Sequence, residues 1–216
     1  MNPMLTEISE NLQKGKAKLV KELVEQALAE GLSASEILQN GLMPGMDVIA
    51  AKFSKNEVFV PEVLIAARAM NMGSAVLKPY LAEEGAQALG KAVIGTVKGD
   101  LHDIGKNLVR MMLEGKGIEV IDLGVDVSPE QFLATFQAEN ADLVLLSALL
   151  TTTMGEMENT VKAFEEAGIR KDAVIMVGGA PVTETFCQSI GADIYSADAA
   201  SAAAAAKAAL LAKNAA

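Results

Sequence analysis

From Lys91 to the end of the chain, short uninterrupted apolar runs alternate with helical stretches, and this alternation constrains the fold more than any other feature. The runs fall at 92–97, 118–123, 143–147 and 173–177, with a weaker one at 193–195. Between them, residues 104–115, 129–139, 155–167 and 182–190 carry helical patterns, and an alanine-rich helix follows from 199. A strand that is apolar without interruption is buried on both faces, as in a parallel sheet covered by helices on either side. Five such units over residues 91–216 predict a doubly wound, flavodoxin-like α/β domain with a five-stranded parallel sheet. Ligands of that architecture bind at the carboxyl ends of the strands. His102, Ser147 and the pair Gly178-Gly179 all fall at such ends.

Residues 1–90 follow a different period. Ala17, Val20, Leu23, Val24, Ala27 and Leu28 recur at helical spacing, and Gly31 stands where a C-terminal cap belongs. Ser33-Ala34-Ser35-Glu36 has the pattern of a capping box opening the next helix, whose apolar positions are Ile37, Leu38 and Leu42. Pro44 is expected to restart the chain before Met46, Val48, Ile49 and Phe53. Pro61 opens a further helix through Val63, Leu64, Ala67, Met70 and Leu77. Four or five helices joined by short loops predict a small antiparallel bundle. The polar, glycine-punctuated stretch 83–90 reads as a linker, which divides the chain into a helical domain at 1–90 and an α/β domain at 91–216.

The first strand leads into Gly99-Asp100-Leu101-His102-Asp103-Ile104-Gly105-Lys106-Asn107, which holds the sole histidine of the 216 residues. An isolated Asp-x-His is most often a loop histidine without special duty. The sharper reading is a metal ligand whose Nδ1–H is held by the carboxylate two residues back, fixing the tautomer and raising ligand basicity. One histidine does not hold a free metal ion, so the remaining ligands would come from a macrocycle, and a macrocycle with a polar tail would need a slot. Gly105, the run Ser147-Ala148-Leu149-Leu150-Thr151-Thr152-Thr153 and Gly178-Gly179-Ala180 supply small and hydroxyl residues from three strand ends. Taken singly, Gly-Gly is most often a tight turn and a threonine run a loop.

Composition narrows the partners. A net charge of −10 argues against nucleic acid or an anionic membrane. No apolar run reaches the roughly 18 residues of a membrane span. Met1 to Glu10 carry two acids and no basic segment, so a signal peptide is not expected. A single cysteine, Cys187, excludes an internal disulfide and a cysteine-rich metal site, and a cytoplasmic location is expected. With aromatics at 4% and eleven methionines, the core must be aliphatic and methionine-filled.

The stretch from Gly99 to Asn107 resembles the Asp-x-His-x-x-Gly signature of cobalamin-binding methyltransferase modules. Leu146-Ser147-Ala148-Leu149-Leu150-Thr151 matches their Ser-x-Leu segment, 45 residues after His102, and Val177-Gly178-Gly179-Ala180 matches their Gly-Gly. Gly41-Leu42-Met43-Pro44-Gly45-Met46-Asp47-Val48 and the stretch from Phe59 to Met70 resemble the helical cap of the same module in methionine synthase. The resemblance implies a cobalamin or related corrinoid, with His102 replacing the cofactor's own benzimidazole as the lower axial ligand of cobalt. Asp100 would hold His102, and Thr153 would complete the triad where methionine synthase carries serine. Asp103, Ile104, Gly105, Ser147, Leu149, Gly178 and Gly179 would contact the cofactor or line the slot for its tail. Thr151 would lie near the corrin edge, and Ala199 matches a further contact. Phe53 and Val60 match cap residues that shelter the cobalt-bound methyl group; methionine synthase has leucine where Val60 stands.

Because the chain has no room for the donor and folate barrels of methionine synthase, the resemblance implies a free-standing corrinoid carrier. Such proteins serve methylamine, methanol, betaine and aryl methyl ether methyltransferase systems. There, one methyltransferase loads cobalt(I) and a second unloads methyl-cobalt(III) to tetrahydrofolate or coenzyme M, and a reductive activation protein restores the cofactor. The carrier is not catalytic alone. Each transfer makes or breaks the histidine–cobalt bond, and the Asp100–His102 pair can exchange a proton as it does so. Three alternatives stand beside it. A cobalamin subunit of a carbon-skeleton mutase shares the signature but generally lacks the cap, and a cobalamin-sensing regulator usually carries a DNA-binding domain. A plain doubly wound domain would tolerate loss of His102.

Overall fold

The computed structural model describes residues 2–85 and 88–214. Ala86 and Gln87, inside the expected linker, lie outside the described residues, as do Met1 and the terminal Ala215 and Ala216. Packing divides the chain into two compact units, 1–88 with 115–117 and 89–114 with 118–216.

The helical unit contains α1 (Pro3–Gln13), α2 (Ala17–Ala29), α3 (Ala34–Ile37), α4 (Met43–Ser54) and α5 (Val60–Glu83). Asn2 caps α1 by accepting the Met4 N–H at 3.0 Å, and Pro3 follows at the first helical position, where no N–H is required. Leu5, Ile8 and Leu12 of α1, Val20, Val24 and Ala27 of α2, and Val63, Ala66, Met70 and Leu77 of α5 form the buried stripes.

Two local details differ from expectation. Pro44 does not restart the chain: a π-helical turn at Leu38–Leu42 joins α3 directly to α4, and Pro44 is the second residue of α4. Proline lacks an N–H for the preceding turn, and the widened turn just ahead absorbs that loss without a break. Only half of the expected capping box forms. Ser33 accepts the Glu36 N–H at 3.1 Å, while the Glu84 carboxylate, at the far end of α5, accepts the N–H groups of Ala34 at 2.7 Å and Ser35 at 3.0 Å. Those bonds, from Ser35 and then Ala34, lower the pKa of Glu84.

The second unit is the expected parallel sheet. Its strands are β1 (Lys91–Thr96), β2 (Glu119–Asp122), β3 (Leu143–Ser147), β4 (Val174–Gly178) and β5 (Ile194–Ser196), all parallel in the order β2-β1-β3-β4-β5. Interleaved are α6 (Ile104–Glu114), α7 (Pro129–Glu139), α8 (Gly155–Glu166), α9 (Glu184–Ser189) and α10 (Ala199–Asn214). Val93, Val144, Leu146, Ile175 and Val177 face α7 and α8, whose Phe136 and Phe164 meet edge to face at 5.2 Å. The alternate strand residues face α6 and α10.

Strand order reverses beside β1. The chain leaves β1 for β2 on one side and returns to β3 on the other, so the loops after β1 and β3 diverge and open a crevice at their carboxyl ends. The register sets Thr96 beside Ser147, Ser147 beside Gly178 and Gly178 beside Ser196. A row of small residues therefore ends four adjacent strands on the α6–α10 side.

Candidate functional site

The loop between β1 and α6 carries Asp100 and His102 into that crevice. Asp100 is fully buried, yet both carboxylate oxygens are engaged. Oδ1 lies 2.7 Å from His102 Nδ1 and accepts the His102 N–H at 3.1 Å. Oδ2 accepts the N–H groups of Leu149 at 2.7 Å and Leu150 at 3.2 Å, and meets Thr153 Oγ1 at 3.0 Å. Burial pushes the Asp100 pKa up, but the Leu149 N–H, the His102 ring and N–H, and the Thr153 hydroxyl together outweigh it. The carboxyl is held well below the usual carboxylate range. An ionised carboxylate is acceptor-only, so His102 must carry a proton on Nδ1, and in the neutral imidazole Nε2 is the nitrogen with a lone pair to offer.

The imidazole is anchored at its backbone as well. Thr96 Oγ1, buried at the end of β1, donates to the His102 carbonyl at 2.8 Å. The ring itself is half exposed, with 51% of the side chain open. Its neighbours Leu101 and Ile104 are 71% and 77% exposed, and Leu149 and Leu150 are also open. An apolar rim around a half-exposed imidazole suits a flat, largely apolar partner rather than water.

Among the described residues, no group of three or more His, Cys, Asp or Glu is placed to hold a metal ion. A metal at Nε2 must bring its other ligands with it, as in a macrocycle. Space around the crevice fits such a guest: a Cβ at Gly105 would meet nothing within 4 Å. One at Gly179 would overlap the Ala148 carbonyl oxygen, so β4 ends hard against the loop after β3.

The structure thus brings Asp100, His102 and Thr153 together, with Ser147, Gly178 and Gly179 at the neighbouring strand ends. Asp103 accepts the Asn107 side-chain amide at 3.0 Å on the first turn of α6, which Ile104 opens. Thr151 is exposed and has no bond to Asp100. Ala199 is buried at the start of α10, after the edge strand. Phe53 in α4 and Val60 at the start of α5 are half-buried members of the helical unit. Sequence reasoning missed Ser196, which the register adds to the small-residue row, and the Leu150 N–H. It also missed Asp126, in the loop after β2, which binds the Gly99 N–H. Main-chain donors leave no mark in residue identity, but Ser196 follows an apolar run as Ser147 does and was open to the same reading.

Thr153 Oγ1 also lies 2.9 Å from the Leu150 carbonyl, so one hydroxyl proton serves two acceptors. Thr153→Val is expected to cost about 1–2 kcal/mol, because Asp100 loses a donor inside the protein, whereas Thr153→Ser should cost less than half as much. Urea unfolding of the two variants measures this.

Comparison with known proteins places these features in context. A B12 binding domain model matches residues 90–207, and a second B12 binding domain model matches residues 4–78. The chain is 42% identical over 195 residues to the trimethylamine corrinoid protein of Methanosarcina barkeri, covering 89% of this chain and 90% of that one. It is 41% identical over 205 residues to the dimethylamine corrinoid protein of the same organism, covering 94% and 96%. Among solved structures, the methanol:cobalamin methyltransferase complex of Methanosarcina barkeri superimposes with a TM-score of 0.87 at 30% identity, covering 97% of this chain and 80% of that one. A cobalamin-binding protein from Desulfitobacterium hafniense gives a TM-score of 0.78 at 32% identity, covering 95% and 98%.

Proposed function

The chain belongs to the B12 binding domain family, and from that premise we propose that it is a free-standing corrinoid methyl carrier. Its cofactor is cobalamin or a related corrinoid, which supplies when bound a cobalt centre able to accept and release a methyl group. The observation that carries the reading is the buried, fully bonded Asp100 carboxylate. It selects the Nδ1–H tautomer of the neutral His102 ring and so leaves Nε2 as the nitrogen able to bind a metal.

In this reading His102 Nε2 would bind the cobalt, with Asp100 and Thr153 holding and tuning the ring. Gly105, Ser147, Leu149, Gly178 and Gly179 leave room for the displaced nucleotide tail, with Asp103, Ile104, Thr151 and Ala199 as further contacts. Residues 1–90 would form a cap domain carrying Phe53 and Val60, and residues 91–216 the cofactor domain. The carrier works with a methyltransferase: one substrate-specific enzyme loads it, a second unloads it to tetrahydrofolate or coenzyme M, and a reductive activation protein returns the cobalt to its reactive state. No described helix is long and apolar enough to cross a membrane.

The chain's single histidine makes the ligand test direct. The protein is labelled with ¹⁵N only at histidine, reconstituted with cobalamin and reduced to cobalt(II). Its electron paramagnetic resonance spectrum should then show the doublet splitting of a ¹⁵N ligand in place of the triplet of ¹⁴N. His102→Ala should lose that doublet. A triplet in the labelled wild type would mean that the cofactor keeps its own base, and the reading would fail.

A further inference from the structure

We propose that Asp126 is a positioning residue for His102, acting through the turn that carries Asp100. Asp126 lies in the loop between β2 and α7, and it grips the Gly99-Asp100 dipeptide at both ends. Its Oδ1 accepts the Gly99 N–H at 2.7 Å, and its own N–H donates to the Asp100 carbonyl at 3.0 Å. To do this Asp126 adopts φ of +55°, a left-handed conformation that aspartate and asparagine tolerate better than other side chains bearing a Cβ. Gly99, at φ +80°, turns the chain in the opposite member of the clamp.

The clamp matters because the turn's remaining contacts leave one freedom open. The Asp100 N–H closes on the Val97 carbonyl at 3.1 Å, and the Asp100 carboxylate is fixed by the β3 loop. Neither bond ties the turn to the loop after β2, and the peptides on either side of the Gly99–Asp100 unit, whose Gly99 N–H and Asp100 carbonyl Asp126 holds, set the direction from which the carboxylate reaches His102 Nδ1. Asp126 supplies that tie with two bonds, from the other side of β1. The Asp126 and Gly99 residues are both exposed, so the contact adds little to global stability, and its effect falls on loop geometry.

This inference rests on His102 being the cobalt ligand, but its first test needs no cofactor. Three variants separate the two properties of Asp126. Asp126→Asn keeps an acceptor and the left-handed preference, Asp126→Gly keeps the conformation without the acceptor, and Asp126→Ala loses both. In the cofactor-free chain, ¹⁵N-histidine NMR at neutral pH reads the tautomer of the one imidazole. Wild type and Asp126→Asn should show predominantly Nδ1–H, whereas Asp126→Gly and Asp126→Ala should raise the Nε2–H fraction about fivefold, as expected for loss of one hydrogen bond. After loading with cobalamin, the same two variants should show a matching rise in the histidine-off fraction in the cobalt(II) spectrum. Thermal unfolding of Asp126→Gly should stay near wild type, which separates positioning from misfolding. An unchanged tautomer ratio in Asp126→Gly overturns the inference and leaves the ligand reading intact, whereas a wild-type chain that binds cobalamin without the histidine doublet overturns both.

Discussion

Asp100→Asn should weaken histidine ligation sharply while leaving the fold largely in place. Oδ2 of Asp100 receives three donors, the Leu149 and Leu150 N–H groups and the Thr153 hydroxyl, so an amide at this position must keep its oxygen there. Its NH₂ then takes the place of Oδ1, facing His102 Nδ1 at the 2.7 Å contact. A donor at that point demands an acceptor, and the imidazole supplies one by moving its proton to Nε2. The nitrogen proposed to meet cobalt then carries a hydrogen and has no lone pair to offer. The His102 N–H, 3.1 Å from Oδ1, also loses its acceptor, which should cost about 1–2 kcal/mol of stability. Ligation should weaken by about 10- to 100-fold, the usual range for losing the partner of a metal-bound histidine. The ¹⁵N doublet of the cobalt(II) spectrum measures it, and ¹⁵N-histidine NMR of the cofactor-free variant should show the Nε2–H tautomer. A variant that retained both the doublet and the Nδ1–H tautomer would show that Asp100 does not choose the imidazole's proton position.

What could be read in advance follows from how local each signal is. The five strands are legible because burial on both faces forces uninterrupted apolar runs, and carboxyl ends are legible where a run stops at a small or polar residue such as Ser147 or Gly178. The closeness of Asp100 to His102 follows from two-residue spacing on one turn. Contacts made by main-chain atoms were not legible: any residue type at 149 or 150 other than proline would offer the same N–H to Asp100. Asp126 was hidden for a related reason, since one aspartate in a loop looks like solvated charge until the fold brings it against Gly99. Glu84 takes the first two N–H groups of α3, those of Ala34 and Ser35, at a separation of about fifty residues, which no local pattern encodes. Pro44 misled because helix periodicity assumes a constant turn, and the π turn at Leu38–Leu42 changes it. The fold is therefore written in side-chain polarity and the site's identity in spacing, while the rigidity of the site is written largely in backbone bonds.

That rigidity makes Gly179→Ala the most damaging small change expected in the α/β unit. Gly179 has φ +132°, where a side chain is strained, and an added Cβ would stand 1.8 Å from the Ala148 carbonyl oxygen and 2.9 Å from its carbon. Backbone atoms cannot rotate aside as a flexible side chain can. The conformational strain and the overlap together should destabilise the fold on the order of 4 kcal/mol. The consequence reaches the site through a single peptide. The carbonyl of Ala148 and the N–H of Leu149 belong to the same planar unit, and that N–H is the 2.7 Å donor to Asp100 Oδ2. Pushing the oxygen away from β4 must tilt the N–H as well, so Asp100 loses its shortest main-chain bond. Urea unfolding should register the loss of stability, and ¹⁵N-histidine NMR on the fraction still folded should register a mixed tautomer at His102. A variant of wild-type stability would show that the strand end yields where the geometry holds it rigid. A destabilised variant with an unchanged imidazole would show that the peptide moves without turning. Gly179 thus joins the end of β4 to the imidazole: the glycine that lets β4 end against the β3 loop also keeps that loop's N–H on the carboxylate that holds His102.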